Sequence, residues 1–357
     1  MTSRKTKLPD LPPEPPRALR LRLDRDALAY NWRALDRLSG DARAGAAVKA
    51  DAYGLGAAEA VPVLLAAGAR DFFVAHWCEV AAVLAHAPAG QISVLHGPLT
   101  AQDAAYAKAT GVKPVINSLH QAHLWIDAGG GPCDLMVDTG MNRLGLPMDQ
   151  TGDPLIAALE IDVLLSHLAS ADEDSALNET QLARFTSVCA QVPSRRRSLA
   201  NSAGISLGTR YGFDLTRPGL ALYGGIPCPA LDGQIRQVAY PQAAILQTRT
   251  IQPGDTVGYN AIFTAQRQMR VGVASLGYAD GFLRCWGNEG FLLHQGVRLP
   301  LLGKISMDMV VVDLEAAPDV REGDWVDVPY DLPQASAITD LSQYELLTVI
   351  GRRFARI

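Results

Sequence analysis

Short apolar runs alternate with alanine-rich segments of helical character through the first two thirds of the chain. The runs predict eight strands, at Ala46–Lys49, Phe72–Ala75, Ile92–His96, Lys113–Ile116, Asp134–Val137, Val163–His167, Arg197–Ala200 and Leu215–Leu222. The intervening segments predict helices, at Ala57–Ala67, Glu79–Ala85, Ala101–Thr110, Leu119–Ala128 and Asn178–Gln191. A further helix is expected from about Asp24, as its N-cap, to Leu38.

Strands that alternate with helices in this way are typical of parallel βα units. Eight such units in about 200 residues fit a closed (β/α)8 barrel. An open, doubly wound parallel sheet is the alternative, but no Gly-x-Gly-x-x-Gly motif follows an early strand. The pattern therefore predicts an α/β barrel over residues 18–234.

The pattern changes near Gln234. From there to the end, apolar runs such as Ala243–Thr250 and Met269–Leu276 are separated by turn sequences, without a long amphipathic helix between them. We predict a second, mostly β domain over residues 235–357. Residues 1–17 are charged and rich in proline, and they lack the apolar segment of a signal peptide, so a disordered tail is expected there.

Composition excludes several classes of function. The chain has 357 residues, of which 48% are hydrophobic and 19% charged, as is usual for a globular protein. Its net charge of −5 gives no reason to expect nucleic acid or an anionic membrane as a partner. No apolar run approaches the roughly 18 residues of a membrane span. The five cysteines are widely spaced, with no Cys-x-x-Cys pair, which predicts reduced thiols in a cytoplasmic protein and no metal site.

Candidate catalytic residues stand where the predicted strands end, which is where barrel enzymes carry their chemistry. Lys49 ends the first strand, and His167 ends the sixth. Asn201 and Ser202 follow the seventh strand. Burial lowers the pKa of an amine, as a lysine that forms a Schiff base requires. Each residue also has a structural interpretation: a lysine that reaches solvent, a histidine bonded to backbone, and a pair that caps a helix.

Several longer motifs connect these positions. They are AVKADAYGLG (Ala47–Gly56), VDTGMNRLG (Val137–Gly145), SHLASADE (Ser166–Glu173), RPGLALYG (Arg217–Gly224) and GYADG (Gly277–Gly281). GKISMDM (Gly303–Met309) and YELLTVIGRR (Tyr344–Arg353) follow them. In this order the motifs resemble the alanine racemase family, a family of pyridoxal-phosphate-dependent enzymes. The resemblance covers nearly the whole chain beyond the N-terminal tail.

The resemblance implies an isomerase that interconverts L-alanine and D-alanine. Lys49 would form the aldimine with pyridoxal phosphate and act as one base, and Tyr278 of the partner subunit would act as the other. Two bases are needed because racemisation moves protons on opposite faces of a planar carbanion. A homodimer with a shared active site is therefore the expected functional unit. Supply of D-alanine for the cell wall is the role that the resemblance implies.

The resemblance also assigns binding residues. The cofactor would be held by Lys49, Tyr53, His167, Asn201, Ser202, Arg217, Gly219 and Leu220. Within that set, His167 would pack on the ring and bond to Arg217, which would donate to the pyridine nitrogen. Because a guanidinium does not lose its proton, that nitrogen stays unprotonated and transamination-like side reactions are disfavoured. The substrate carboxylate would be bound by Arg143, Met307 and Asp308.

Two positions depart from the family pattern. Met136 stands where the family often has a lysine, modified to a carbamate, that braces the arginine at position 143. We hypothesise that an anion, a side chain or water takes its place. Arg352 stands where several relatives have an aromatic residue near the substrate entrance. A broad-specificity or serine racemase on the same fold remains an alternative, as does a non-catalytic pyridoxal-phosphate-binding protein, although the β domain and the GYADG motif disfavour the latter.

Overall fold

The computed structural model describes residues 12–357. Most of the tail predicted for residues 1–17 therefore lies outside the described residues. Within residues 12–357, no helix has both the length and the apolar character that crossing a membrane requires.

Eight parallel strands form the first domain. In chain order they are Arg43–Ala44 continued by Ala46–Ala47, Phe72–Val74, Ile92–Val94, Lys113–Ile116, Pro132–Asp138, Glu160–Leu165, Arg196–Ser198 and Leu215–Thr216. The last strand pairs with the first through Leu215 and Arg43. It also meets the seventh strand, because the amide of Asp214 donates to the carbonyl of Arg197 over 3.1 Å. The predicted barrel is confirmed.

Helices alternate with the strands along the chain and cover the outside of the barrel. They are Arg25–Leu38, Ala57–Ala67, Val80–Leu84, Ala101–Thr110, Leu119–Asp127, Pro154–Ala157 and Ala176–Gln191. The first begins at the predicted N-cap, where the carboxylate of Asp24 accepts from the amide of Ala27 over 2.9 Å. Inside the barrel, a separate apolar cluster is made by Phe73, Val115, Met136, Val163, Leu165 and Leu215. This cluster separates the two ends of the barrel.

The second domain is an antiparallel β-structure, as predicted. Its main strands are Ala239–Ile251, Met269–Ala274, Phe291–His294, Val297–Leu302, Val310–Asp313 and Trp325–Asp327. The long first strand pairs with Trp325–Asp327 in its first half and with Met269–Ala274 in its second, which closes the sheet on itself. A hairpin joins Thr256–Val257 to Phe263–Thr264. Two short helices, Leu332–Thr339 and Gln343–Thr348, pack near the end of the chain.

One strand lies outside the domain that we predicted for it. Leu19–Leu23, placed at the start of the barrel region 18–234, pairs instead with Ala239–Ile251 and with Ala355–Arg356 of the second domain. The reason is its alternating pattern, since its leucines are buried while its arginines face outwards. One-sided burial is typical of an antiparallel sheet, whereas barrel strands are buried on both faces. Arg20 lies 3.9 Å from the ring centre of Trp325, which stabilises this outer face.

Candidate active site

A cavity of about 610 Å³ opens at the carboxyl end of the barrel strands. Every residue that the resemblance assigned to the cofactor lines it: Lys49, Tyr53, His167, Asn201, Ser202, Arg217, Gly219 and Leu220. Arg143 and Met136 line it as well. Side chains from the first, fifth, sixth, seventh and eighth strands, or from the loops that follow them, therefore meet in one place. This is the location that the barrel architecture predicts for chemistry.

Lys49 stands at the start of an unusual turn. The predicted strand ends at Ala47, and Ala50, Asp51, Ala52 and Tyr53 all adopt left-handed backbone angles, with φ between 53° and 56°. Such angles cost roughly 1–2 kcal/mol for each residue with a Cβ atom. Because residues four apart share one face of a helical turn, Lys49 and Tyr53 both point into the cavity. The turn thus supplies an amine and a phenol to the same site.

The part of the cavity beside Tyr53 is rich in hydroxyl and amide groups. The hydroxyl of Ser202 accepts from the amide of Gly219 over 2.9 Å and from that of Ala221 over 3.3 Å. A Cβ atom on Gly219 would lie 2.2 Å from the hydroxyl of Tyr53, so only glycine fits there. The predicted strand Leu215–Leu222 ends at Thr216, and a 3₁₀ turn from Leu220 follows. This cluster of amides and hydroxyls matches the needs of a phosphate group.

Arg217 is buried, and it forms no ion pair with a carboxylate of residues 12–357. Its guanidinium donates to the hydroxyl of Ser198 and to the carbonyl of Ser166, and both acceptors are neutral. Burial lowers the pKa of Arg217 to about 10, so the side chain stays charged at neutral pH and acts only as a donor. The described hydrogen bonds of Arg217 do not include the expected one to His167. A ring nitrogen that accepts a hydrogen bond would fit beside such a group.

The cavity disfavours positive charge on its titratable groups. Burial, followed by the charges of Arg143 and Arg217, lowers the pKa of Lys49, although Glu79 opposes them. Burial also lowers the pKa of His167 to about 3, with Arg217 as the largest charged contributor. At neutral pH, His167 is therefore uncharged, and Lys49 loses its proton more readily than an exposed lysine. A desolvated lysine of this kind is a nucleophile and a base.

Arg143 has less support than its predicted role requires. Its backbone amide donates to Asp138 over 3.1 Å. Its guanidinium forms no hydrogen bond or ion pair within residues 12–357, and nearby Met136 offers only a thioether. The bracing of Arg143 by an anion, a side chain or water therefore stays a hypothesis.

Three predicted residues do not line this cavity. Tyr278, Met307 and Asp308 belong to the second domain, where their two loops form one unit. The amide of Tyr278 donates to the carbonyl of Ser306 over 3.1 Å. Arg353 joins the loops through bonds of 2.7 Å to Asp308 and to Asp280, which follows Tyr278 in the chain. Within a single chain, the two predicted bases are thus on separate surfaces.

Two residues that line the cavity, His96 and Tyr344, were not predicted from the sequence. His96 lines the cavity at the end of the third predicted strand, and its ring lies 4.2 Å from that of His76. Its position at a strand end was a usable signal. Tyr344 reaches the cavity from the second domain, with its ring 6.3 Å from that of Tyr53. No local pattern reveals such a long-range contact.

Tyr278 has a cationic side chain close to its ring. The guanidinium of Arg284 lies 5.1 Å from the ring centre of Tyr278. A cation at this distance from an aromatic face is a favourable interaction.

Known proteins resemble the chain over nearly all of its length. The family model described as "Alanine racemase, N-terminal domain" matches residues 23–227, and that described as "Alanine racemase, C-terminal domain" matches residues 238–357. An alanine racemase of Acidiphilium cryptum is 39% identical, over 94% of this chain and 98% of that protein. A biosynthetic alanine racemase of Agrobacterium fabrum is 40% identical, over 95% of this chain and 93% of that protein.

Solved structures give the same picture. The crystal structure of an alanine racemase from Bartonella henselae, with covalently bound pyridoxal phosphate, has a TM-score of 0.87 and 36% identity, covering 96% of this chain and 99% of that one. The biosynthetic alanine racemase of Pseudomonas aeruginosa has a TM-score of 0.84 and 33% identity, with coverage of 96% and 99%.

Proposed function

The chain belongs to the alanine racemase family, and we propose that it interconverts L-alanine and D-alanine with pyridoxal phosphate as one half of a homodimer. The expectations of this family, of its two-domain fold and of a pyridoxal-phosphate-dependent racemase are confirmed. The observation that carries the site assignment is the convergence of Lys49, Ser202 and Arg217 on one cavity at the end of the barrel.

The residues of the cavity fit the cofactor in character. When bound, pyridoxal phosphate supplies an aldehyde that bonds to an amine and a ring that withdraws electrons from the substrate. Lys49 would provide the amine. The hydroxyls of Ser202 and Tyr53, with the backbone at Gly219, would hold the phosphate. Arg217 would donate to the ring nitrogen, because it keeps its proton at neutral pH.

Racemisation requires one base on each face of the substrate α-carbon. The amine of Lys49 would take the proton on one face, and its lowered pKa favours the neutral form that accepts it. The phenol of Tyr278 of the partner subunit would deliver a proton on the other face. Arg143, together with Met307 and Asp308 of the partner subunit, would hold the carboxylate and so orient the α-carbon.

The homodimer is supported by what surrounds Tyr278. Tyr259 and Ile262, in the hairpin of the second domain, are 68% and 52% exposed, and Met307 is 53% exposed. The amine of Lys304 bonds to Asn260 of that hairpin over 2.8 Å, so these apolar side chains border one surface. An exposed apolar surface of this kind is typical of a subunit interface. It would bring Tyr278 of one chain to the cavity of the other.

The substrate assignment is tested by racemisation of a panel of amino acids. We expect alanine to be turned over faster than serine, lysine or arginine. Equal rates for serine or for the larger amino acids would favour a broad-specificity racemase instead. Borohydride reduction followed by peptide mapping should label Lys49 and no other lysine.

The shared site is tested by mixing two inactive variants, Lys49→Ala and Tyr278→Phe. Each hybrid dimer contains one site with both native bases, so random exchange of subunits should restore about one quarter of the parental activity. No recovery, although hybrids are detected by native mass spectrometry, would place both bases in one chain. A Tyr278→Phe variant that racemises at the parental rate in both directions would exclude Tyr278 as a base.

We further propose that the enzyme works in the cytoplasm and supplies D-alanine for the cell wall. The support is chemical: all five cysteines are unpaired, as is usual in a reducing compartment. Cell fractionation should recover the protein with cytoplasmic markers, and depletion of the protein should be rescued by added D-alanine. Recovery outside the cytoplasm would contradict the location.

A further inference from the structure

Glu79 joins two ends of neighbouring barrel strands beside Lys49. One of its carboxylate oxygens accepts from the amides of Ala75, over 2.7 Å, and His76, over 3.0 Å, just after the second strand. The other oxygen accepts from the amide of Ala50, the residue after Lys49, over 2.5 Å. One carboxylate thus holds three backbone amides from two segments.

The amide of Ala50 is a place where such a bond matters. Ala50 is the first of four consecutive residues with left-handed angles, each of which costs roughly 1–2 kcal/mol. A turn of this kind persists only when its surroundings hold it. Its far end is held by Arg356, which donates to the carbonyl of Gly54 over 2.7 Å. At its near end, the carboxylate of Glu79 accepts a hydrogen bond from the amide of Ala50.

We propose that Glu79 is a positioning residue for Lys49, because its carboxylate fixes the start of the left-handed turn to the end of the second barrel strand and so fixes where the lysine amine lies in the cavity. The inference rests on the proposed role of Lys49. It goes beyond that role, since neither the motif around Lys49 nor the expected cofactor contacts include Glu79.

The charge of Glu79 also affects the pKa of the Lys49 amine. It raises the pKa of Lys49, against burial and the charges of Arg143 and Arg217, which lower it. Glu79 therefore limits how far the lysine pKa falls. Position and charge are separable, because an aspartate keeps the charge but is one methylene too short to bridge the two segments.

The test compares Glu79→Gln, Glu79→Asp and Glu79→Ala in the full-length enzyme. The matched control is Asp103→Asn, since Asp103 also accepts from two loop amides, those of Leu99 and Thr100, but at a helix start that does not contact Lys49. Hydrogen–deuterium exchange is followed in the peptide that spans residues 46–56, with and without cofactor. The pH midpoint of the visible absorbance of the lysine-bound cofactor is measured in parallel.

We expect each Glu79 variant to speed exchange in residues 50–54 by at least about tenfold, which corresponds to about 1.4 kcal/mol. Glu79→Gln should also lower the pH midpoint, whereas Glu79→Asp should change it less. Asp103→Asn should change neither. The rate of racemisation should fall through kcat more than through KM, because the amine is displaced while the binding groups stay in place.

Unchanged exchange and an unchanged midpoint in Glu79→Gln would overturn the proposal. So would equal acceleration in Asp103→Asn, since the effect would then be a general loosening. If Glu79→Ala fails to fold, the two conservative variants still decide the matter. Borohydride mapping of the parental enzyme separates this test from the proposed function: label at another lysine refutes the role of Lys49, whereas label at Lys49 leaves the role of Glu79 to be decided by exchange.

Discussion

Each end of the barrel contains a lysine, buried at Lys113 and half-buried at Lys49, and the surroundings of the two differ. At the amino end, Lys113 is 4% exposed, its amine lies 2.5 Å from Asp162 and 3.4 Å from Asp134, and Arg196 extends the network to Asp71. Burial opposes the charge of Lys113, but the two carboxylates outweigh it and raise the pKa. At the carboxyl end, no carboxylate of residues 12–357 forms an ion pair with Lys49, and the pKa of this lysine is lowered.

The difference shows that ion pairing, more than loss of solvent, decides whether a lysine inside the barrel keeps its proton. A paired lysine keeps its proton and holds strands together, so its removal leaves a buried carboxylate without a partner. An unpaired lysine is ready to lose its proton and react. The two lysines stay apart within one barrel, because the apolar cluster around Phe73 and Met136 lies between the two ends.

The largest effect is expected at the reactive end. Lys49→Ala should lower the rate of racemisation by about 10⁴-fold or more, because one base and the cofactor attachment are lost together. The free energy of unfolding of the cofactor-free protein, measured by urea denaturation, should change by less than about 1 kcal/mol. A stability loss as large as that of a Lys113 variant would remove the contrast between the two lysines.

At the paired end, Lys113→Met should lower the free energy of unfolding by about 3–5 kcal/mol. The cause is Asp134, which is fully buried and would lose its cation. Adding Asp134→Asn to that variant should recover part of the loss, because the unpaired charge is then removed. If the double variant is no more stable than Lys113→Met, the ion pair is not the source of the effect.

A smaller effect is expected from pH. The pKa of His167 is about 3 in the folded protein and near 6.5 when unfolded, so the unfolded state binds one more proton between these values. His167 therefore lowers stability as pH falls below about 6.5, by about 1.4 kcal/mol for each pH unit. The free energy of unfolding, measured by urea denaturation between pH 6 and pH 4.5, should fall less steeply with falling pH for His167→Asn than for the parent. Equal slopes would mean that folding does not lower the pKa of His167.

The smallest effect is expected at Met136. Because a thioether does not form a carbamate, removal of carbon dioxide and bicarbonate from the assay should leave kcat/KM unchanged. Met136→Lys gives the contrast, since an amine in that place should make kcat/KM rise when bicarbonate is restored. Sensitivity of the parental enzyme to bicarbonate would mean that another amine carries the modification.

Much of this molecule could be predicted from its sequence. The barrel strands follow from short apolar runs, and the helices Ala57–Ala67 and Ala101–Thr110 agree with prediction at both ends. The residues expected at the cofactor meet in one cavity, because strand ends in a barrel converge. Their roles stay predictions, as does the role of Tyr278.

What could not be predicted depends on contacts between distant residues. The left-handed turn after Lys49 has no local signal, since three of its four residues are not of the types that favour such angles. Tyr344 enters the cavity from the other domain. The region 18–234 that we predicted for the barrel includes the strand Leu19–Leu23, which pairs with the second domain, because position in the chain says nothing about the partners of a strand. Its alternating leucines did carry the correct signal.

That strand has a consequence for how the protein is made. Arg20 pairs with Ala355, so the strand Leu19–Leu23 gains this partner only after more than 300 further residues have been translated. The barrel strands are all present once Thr216 has been synthesised, and contacts that are closer in sequence form faster. An emerging chain therefore has all of its barrel strands before it has Ala355–Arg356, and one edge of Leu19–Leu23 stays open until those residues are available. Completion of the sheet of the second domain therefore comes after synthesis of the barrel strands.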